Sequence, residues 1–229
     1  KLFSTEDLPE AFYQAMIHNK WFTKENIIAA VNALADMISD QSAVEQWLNK
    51  YPDPTSDPKK ILLVLPGNIP AVGFHDVLCT LLSGHSAEIK LSSDDKFLIP
   101  WMHRIAEKHF PEWTDHIHYH EGLMNGFDAV IATGSNQSAK TFENYFSAKP
   151  HIIRHNRSSV AIVRNSDSDE DLKKIGNDVF MYFGLGCRNV SLIFIPKDFD
   201  KQRLFDAFLP WKRLADHNAF ANNYVYYKS

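Results

Sequence analysis

The chain has 229 residues, a formal net charge of -4 and a pI of about 6.3, which suits one large domain or one and a half and argues against a general nucleic-acid binder. Its two cysteines, Cys79 and Cys187, form neither a disulfide framework nor a zinc-ligand spacing, so we expect a reducing, cytoplasmic environment. No run of 18 apolar residues occurs, so no membrane-spanning helix is expected. The sequence starts at Lys1 without a signal-peptide pattern, which indicates a processed or truncated piece.

The first 58 residues predict a helical segment followed by a linker. Apolar residues recur with helical spacing between residues 4 and 50, which predicts two or three helices. Ser4 and Thr23 resemble N-caps, because acidic residues follow each of them closely. Residues 51–58 contain three prolines among turn-forming residues and show no periodicity, so they predict the linker.

From residue 59 the pattern changes to short apolar strands that alternate with helices. Such alternation with short connections is typical of an α/β fold with a doubly wound, Rossmann-like parallel sheet, whose ligands bind at the carboxyl ends of the strands. We predict strands at 61–65, 87–91, 117–120, 129–132, 152–153, 160–163 and 190–195, and helices at 74–82, 97–109, 138–146 and 169–183. Residues 224–229 resemble the start of a further strand.

Two motifs carry groups that suit acyl-thioester chemistry. Pro66-Gly67-Asn68-Ile69-Pro70 follows the first apolar strand and places an amide donor, Asn68, on a rigid turn. Phe183-Gly184-Leu185-Gly186-Cys187-Arg188-Asn189 places a thiol among glycines, between a predicted helix and a predicted strand. A cysteine nucleophile needs a hydrogen bond to the oxyanion that its attack creates. The alternative for either cysteine is an inert buried thiol, which is the interpretation we favour for Cys79.

Two strand ends are suited to a dinucleotide, although neither a G-x-G-x-x-G nor a Walker A sequence is present. Lys90, Ser92 and Ser93 stand at the end of the second strand, where two hydroxyls and a lysine would tolerate a ribose 2′-phosphate. Gly134 and Ser135 follow the fourth strand at a helix start, where backbone N–H groups can meet a phosphate. The alternative is that both segments are ordinary helix caps.

Histidines and basic residues give weaker signals. His116, His118 and His120 would share one strand face, but only their spacing points to metal binding, so we expect a solvated face and no metal site. Residues 144–166 contain no acidic residue and include Lys149, His151, Arg154, His155, Arg157 and Arg164. This basic strip is either a solvated face or a surface that suits the phosphates of a nucleotide or of coenzyme A.

The ordered motifs resemble the aldehyde dehydrogenase superfamily. Within it, the chain is most similar to the LuxC-type acyl-CoA reductases, which supply fatty aldehyde in bacterial luminescence. The similarity covers roughly residues 10–225 and rests on Pro-Gly-Asn-Ile-Pro, Ile89-Lys90-Leu91-Ser92-Ser93, Ala132-Thr133-Gly134-Ser135 and Gly184-Leu185-Gly186-Cys187.

The resemblance implies that Cys187 is the nucleophile and that Asn68 supplies the amide of the oxyanion hole. It also implies that Lys90 holds the adenosine ribose. Ser93 stands where many relatives carry an acidic residue that marks NAD preference, so NADPH is the expected cofactor and NADH the alternative. The expected cofactor-binding residues are Pro66, Lys90, Ser92, Ser93, Gly134 and Ser135.

Two departures from the superfamily pattern matter. Aldehyde-oxidising members carry a general-base Glu whose position here falls near Ile153, in the stretch without carboxylates. Without that base, water is poorly activated to hydrolyse an acyl-enzyme, which favours a reductase that exchanges thioesters. The family's catalytic domain also continues well past the cysteine. We therefore predict an N-terminal helical segment and linker (1–58), a dinucleotide-binding α/β domain (59–183) and the beginning of a truncated catalytic domain (184–229).

The expected function is NADPH-dependent reduction of an acyl-CoA or acyl-protein thioester, with a fatty acyl group, to an aldehyde. The expected partners are the acylated substrate and an acyl-protein synthetase or acyltransferase, and the full-length protein is expected to be a homo-oligomer. One alternative is an NAD(P)-dependent aldehyde dehydrogenase with an unrecognised base. The other is a catalytically silent, nucleotide-binding subunit of an acyl-transfer complex.

Overall fold

The computed structural model describes residues 8–122 and 124–228, which form two compact units. The first unit ends at Asn156 and the second begins at Arg157. The predicted N-cap at Ser4 lies outside the described residues. Within the described ranges, no helix is both long enough and apolar enough to cross a membrane.

Three helices precede the sheet, as the sequence predicts: α1 Glu10–His18, α2 Lys24–Ser39 and α3 Gln41–Leu48. The hydroxyl of Thr23 accepts a hydrogen bond from the N–H of Asn26, so the predicted N-cap of α2 is confirmed. Phe12 of α1 and Ile27 of α2 are fully buried in a cluster that also contains side chains of the sheet. The N-terminal helices are therefore packed into the core of the first unit.

A five-stranded sheet forms the centre of the first unit. Its strands are β1 Lys60–Val64, β2 Ser86–Lys90, β3 Ile117–Tyr119, β4 Ala129–Thr133 and β5 His151–Arg154. They lie in the order β3-β2-β1-β4-β5, and every pairing is parallel. The connecting helices are α4 Phe74–Leu82, α5 Leu98–Ala106 and α6 Asn136–Tyr145, and a 3-10 helix spans Pro111–His116. The predicted doubly wound parallel sheet is confirmed.

Strand β1 is buried on both of its faces, which explains its uninterrupted apolar sequence. Leu63 packs in the cluster that includes Ile89 and the N-terminal helices. Leu62 belongs to a different cluster, together with Val130 and Phe146. Because the chain runs from β1 outward to β3 and then returns to β4 on the other side, the strand order reverses between β1 and β4. Ligands of open α/β sheets bind at such a switch point.

The second unit contains a separate pair of parallel strands, β6 Ser159–Ile162 and β7 Val190–Phe194. Its helices are α7 Asp169–Phe180, α8 Lys201–Phe208 and α9 Asn218–Lys228, with 3-10 helices at Met181–Gly184 and Leu209–Asp216. A small core of Val163, Leu172, Phe199 and Ala207 holds this unit together.

Three details differ from the sequence predictions or refine them. Helix α7 ends at Phe180 instead of residue 183, because Tyr182 and Phe183 have φ angles of 53° and 58°, where an α-helix cannot continue. The predicted strand start at 224–229 is wrong, because residues 224–228 belong to α9. Tyr and Val favour strands chiefly where a neighbouring strand or sheet surface is available to pack against. The first compact unit ends at Asn156, whereas the functional division after residue 183 stays a prediction.

The packing of the first unit can be tested by making the same substitution at a buried and at an exposed isoleucine. We expect Ile89→Ala to lower the free energy of unfolding by about 2–5 kcal/mol, because removing a buried side chain leaves a cavity. Ile89 is fully buried on β2, whereas Ile17 on α1 is 71% exposed. Ile17→Ala is therefore the control and should change the free energy of unfolding by less than about 0.5 kcal/mol. Urea unfolding followed by circular dichroism measures both, and equal losses would contradict this packing.

Candidate functional site

Three loops begin at the same edge of the sheet, at the carboxyl ends of the adjacent strands β2, β1 and β4. The Asn68 loop, residues 65–73, connects β1 to α4, and the Ser92 loop, residues 91–97, connects β2 to α5. Most of the candidate site residues lie at this edge: Pro66, Asn68, Lys90, Ser92, Ser93, Gly134 and Ser135. Cys187 lies in the second unit. The topology therefore gathers the predicted oxyanion and cofactor residues at the switch point of the sheet.

The Asn68 loop packs tightly against the Ser92 loop. Gly67 is buried, and a Cβ atom at this position would lie 2.5 Å from Ser92 Oγ and 2.8 Å from Ser92 Cβ. Only glycine allows the two loops to approach this closely. Asn68, the next residue, is exposed, so the amide stands at the surface of a closely packed loop.

Asp95 fastens the far end of the Asn68 loop, and sequence reasoning missed it. One carboxylate oxygen accepts a hydrogen bond from the N–H of Ala71 at 2.8 Å, and the other accepts one from the N–H of Leu98 at 3.4 Å. Asp95 is 4% exposed, and burial raises the pKa of its carboxyl to about 6, although both N–H donors act in the opposite direction. Its place three residues before Leu98 predicts a helix cap, which gives no hint of the contact with Ala71.

Asn19 fastens the near end of the same loop, and its role was also missed. Its side-chain amide donates to the carbonyl of Gly67 at 3.4 Å and to the carbonyl of Asp94 at 3.2 Å. Its side-chain oxygen accepts from the N–H of Trp21 at 2.9 Å. Asn19 is 8% exposed and follows α1, far from both loops in sequence, so no local pattern points to these contacts.

The structure shows how the predicted ribose-binding segment is held. The ammonium of Lys90 donates to the carbonyl of Gly122 at 3.1 Å, and Ser93 is exposed. The hydroxyl of Ser92 accepts from the N–H of Asp94 at 3.2 Å. Hydroxyls and an ammonium at this edge have the chemistry to bind ribose and phosphate oxygens.

Gly134 and Ser135 directly precede α6 and form an ordinary helix cap, which was the alternative to phosphate binding. The hydroxyl of Ser135 accepts from the N–H of Ser138 at 3.1 Å and is the N-cap of α6. A Cβ atom on Gly134 would lie 2.8 Å from Ser138 Cβ, so the glycine allows the strand to meet the helix closely. Ser135 therefore caps α6, and the role of Gly134 and Ser135 in binding pyrophosphate stays a prediction.

Cys187 is exposed on a turn that Asn189 holds in place. The N–H of Asn189 donates to the carbonyl of Gly186 at 3.0 Å, and its side-chain oxygen accepts from the N–H of Gly186 at 2.7 Å. Its side-chain amide donates to the carbonyls of Asp178 at 2.8 Å and Met181 at 3.0 Å, at the end of α7. In the sequence, Asn189 stands out only as the last residue of the motif that carries Cys187. The structure shows that this residue anchors the thiol-bearing turn to the helix before it.

Cys79 has a different environment from Cys187. It is half-buried on α4, and burial raises the pKa of its thiol. Its Sγ lies 3.6 Å from Nε2 and 3.7 Å from Nδ1 of His75, one helical turn earlier. A thiol with a raised pKa is poorly nucleophilic, which agrees with the structural role favoured for Cys79.

His118 is exposed, as expected for a solvated face, whereas His116 and His120 are half-buried and contact polar groups of β2. His116 Nδ1 lies 3.0 Å from the hydroxyl of Ser86, and His120 Nε2 lies 2.5 Å from a carboxylate oxygen of the buried Glu88. Across residues 8–122 and 124–228, no three His, Cys, Asp or Glu side chains are grouped so that they could hold a metal ion.

Part of the basic strip is neutralised by carboxylates. Arg154 pairs with Asp76 at 2.5 Å, and His155 pairs with Glu143 at 2.9 Å. Ile153, near the position predicted for a general base, packs against the apolar cluster around Leu62. The environment of Ile153 is thus apolar.

The sequence model of one protein family, described as acyl-CoA reductase (LuxC), matches residues 6–205. No curated protein matches the chain.

Solved structures of aldehyde dehydrogenases share the fold. The chain described as aldehyde dehydrogenase PutA from Anabaena variabilis superimposes with a TM-score of 0.61 at 18% identity, over 88% of this chain and 50% of that one. Indole-3-acetaldehyde dehydrogenase in complex with NAD+ gives 0.57 at 16% identity, over 72% and 39%. Propionaldehyde dehydrogenase from Rhodopseudomonas palustris with bound propionyl-CoA gives 0.55 at 12% identity, over 66% and 36%. The chain thus spans half or less of the length of these structures.

The buried carboxyl of Asp95 should make stability depend on pH. Its folded-state pKa of about 6 lies above the ordinary value of 3.8, so its stabilising contribution is fully present below 3.8 and is lost as the pH rises through 6. The difference in free energy of unfolding between wild type and Asp95→Asn should therefore fall by up to about 3 kcal/mol from pH 3.5 to pH 7. Urea unfolding at each pH measures this difference, and carbon-13 NMR of the carboxyl gives the midpoint.

The control for this titration is Asp53→Asn in the exposed linker. The same change from carboxyl to amide removes no buried contact there and should leave the free energy of unfolding within about 0.5 kcal/mol of wild type. A carboxyl midpoint below pH 4.5 for Asp95 would contradict the burial that the structure gives it.

Proposed function

Because the chain belongs to the LuxC acyl-CoA reductase family, we propose that the protein containing it reduces a fatty acyl thioester to an aldehyde with NADPH. The acyl group arrives on coenzyme A or on a carrier protein and is transferred to Cys187. The observation that carries this proposal is the contrast between the two thiols. Cys187 is exposed on an anchored turn, whereas Cys79 is half-buried.

In the first step, the Cys187 thiolate attacks the carbonyl carbon of the thioester and forms a new C–S bond. The side-chain amide of Asn68 donates a hydrogen bond to the oxyanion of the tetrahedral adduct. Collapse of the adduct breaks the bond to coenzyme A, which leaves as a thiolate and takes a proton from solvent. The acyl group then remains on Cys187 as a thioester.

The residues at the carboxyl edge of the sheet fit a dinucleotide. When bound, NADPH supplies a hydride to the acyl carbon on Cys187, and the aldehyde departs as the thiolate is restored. The ammonium of Lys90 and the hydroxyls of Ser92 and Ser93 would hold the ribose and its 2′-phosphate, beside Pro66. Gly134 and Ser135 would meet the pyrophosphate at the start of α6. Ser93 carries no negative charge, which favours NADPH, whereas the adjacent exposed Asp94 keeps NADH as the alternative.

The surroundings of Ile153 support reduction over hydrolytic oxidation. An apolar side chain near this position cannot take a proton from water, so an acyl-enzyme would persist until hydride arrives. Two structures with this fold, indole-3-acetaldehyde dehydrogenase with NAD+ and propionaldehyde dehydrogenase with propionyl-CoA, contain ligands of the two classes proposed here. An acyl-protein synthetase or acyltransferase is the proposed acyl donor, and the full-length protein is proposed to be a homo-oligomer.

The nucleophile is tested by intact mass of the full-length protein after incubation with a panel of acyl-CoAs. We expect an acyl adduct on wild type that NADPH removes, and no adduct on Cys187→Ala, which should still bind NADPH. Cys79→Ala is the matched control and should acylate as wild type does. An adduct that persists in Cys187→Ala would overturn the proposed nucleophile.

The same panel distinguishes the other functions. Aldehyde-dependent reduction of NAD(P)+ with release of acid, in place of an adduct, would favour an aldehyde dehydrogenase. Dinucleotide binding without labelling by any thioester would favour a silent subunit. In either case, the reductase proposal would be withdrawn.

The oxyanion donor is tested by single-turnover acylation of Cys187. We expect Asn68→Ala to slow acylation by about 10²–10³-fold, because one hydrogen bond to the oxyanion is lost. The dissociation constant of NADPH should stay within about twofold of wild type, since Asn68 acts on the acyl group. Asn49→Ala, at an exposed position after α3, is the control. Acylation of Asn68→Ala at the wild-type rate would remove Asn68 from the mechanism.

A further inference from the structure

We infer that Asn19 and Asp95 are positioning residues, which lock the Asn68 loop against the Ser92 loop and so fix the oxyanion donor relative to the cofactor-binding side chains. This inference rests on the proposed function of the two loops. Neither side chain lies among the candidate site residues. Both are buried polar groups whose hydrogen bonds go to the backbone of these loops.

The contacts of Asn19 join three segments that are distant in sequence. Its amide nitrogen reaches Gly67 O at 3.4 Å and Asp94 O at 3.2 Å, across separations of 48 and 75 positions. Its oxygen accepts from Trp21 N–H at 2.9 Å, which fixes the orientation of the carboxamide. One side chain from the end of α1 thereby holds the residue before Asn68 and a residue of the Ser92 loop at the same time.

Asp95 acts at the opposite end of the Asn68 loop. Ala71 is fully buried and has a φ angle of 53°, which is unfavourable for a residue with a Cβ atom. Its N–H donates to Asp95 Oδ2 at 2.8 Å, and Asp95 Oδ1 accepts from Leu98 N–H at 3.4 Å. The carboxylate therefore ties this strained residue to the first turn of α5. A buried N–H without such an acceptor would be costly, so the loop depends on Asp95 for this conformation.

Close packing at Gly67 adds to the hydrogen bonds that Asn19 and Asp95 make with the Asn68 loop. The approach of Gly67 to Ser92 excludes even a methyl group. Asn19 and Asp95 hold the Asn68 loop on either side of Asn68, at Gly67 and at Ala71. Burial opposes ionisation of the Asp95 carboxyl and raises its pKa to about 6, and the two N–H donors offset only part of this effect. A fully hydrogen-bonded polar group, in exchange, specifies one arrangement of the backbone.

The first test measures the loop itself by amide hydrogen exchange. We expect Asp95→Asn to speed exchange of the Ala71 and Leu98 amides by at least about 10-fold, because an amide group cannot accept from both N–H donors as the carboxylate does. The melting temperature should fall by no more than several degrees. Asp53→Asn is the control for the change from carboxyl to amide, and it should leave exchange of these amides unchanged.

The second test measures chemistry in the full-length protein. We expect Asp95→Asn to slow single-turnover acylation of Cys187 by about 10–100-fold, because a displacement of about 1 Å misplaces the oxyanion donor. The dissociation constant of NADPH should rise as well, since the Ser92 loop is released at the same time. A residue that only stabilised the fold would lower the folded fraction and leave the acylation rate of each folded molecule unchanged.

Asn19→Asp tests the other fastening point and does not depend on whether Asp95→Asn folds. Asn19→Asp preserves the acceptor for Trp21 N–H but turns an oxygen toward the carbonyls of Gly67 and Asp94, so the same changes in exchange and acylation are expected. Asn49→Asp, at an exposed position, is its control. The inference is overturned if the folded variants exchange the loop amides and acylate Cys187 as wild type does.

Failure of the proposed function would be seen in wild type, whereas failure of the positioning roles would be seen only in the variants. If wild type itself accepts no acyl group from any thioester, the reductase proposal fails. In that case, the positioning roles of Asn19 and Asp95 are still tested by exchange of the Ala71 amide and by the dissociation constant of NADPH. Faster exchange and weaker NADPH binding in Asp95→Asn support them, and unchanged values refute them.

Discussion

The parallel pairing of β1 with β2 on one side and with β4 on the other is the constraint on which the rest of the candidate site depends. It places the ends of three strands side by side, so loops that are distant in sequence begin at one edge. The pairing is maintained because β1 is apolar on both faces and is buried between two clusters. Core packing therefore decides where the Asn68 and Ser92 loops can meet.

The two units hold their candidate residues by the same physical means. In each, a side-chain amide donates to backbone carbonyls and joins two segments of the chain. Asn19 connects the Asn68 loop with the Ser92 loop, and Asn189, in the turn that carries Cys187, connects this turn with the end of α7. A carboxamide suits this task because it donates and accepts at once. The exposed candidate side chains, Asn68 and Cys187, thereby stand on short segments that do not follow helix or strand geometry.

Burying polar side chains at the switch point costs free energy that the apolar core does not spend. Asp95 is almost fully buried and carries a raised pKa, so its ionised form is disfavoured where it lies. What it supplies is an acceptor for the N–H of Ala71, a residue with a positive φ angle. The buried carboxyl thus lowers the free energy of unfolding but fixes the Asn68 loop in one backbone conformation. A preorganised oxyanion donor would require such a fixed loop.

Sequence patterns were enough to predict most of the helices and strands and to select the candidate residues. Alternating apolar runs predicted the strands, Thr23 marked a helix start, and Asn68 and Cys187 stood beside glycines, although their roles stay predictions. The folded structure was needed for the strand order, the separate pairing of β6 with β7, the helical conformation of residues 224–228, and the contacts of Asn19 and Asp95. Periodicity reports which face of an element is buried, but it does not report what that face touches, because the partners lie 24 to 75 positions away in sequence.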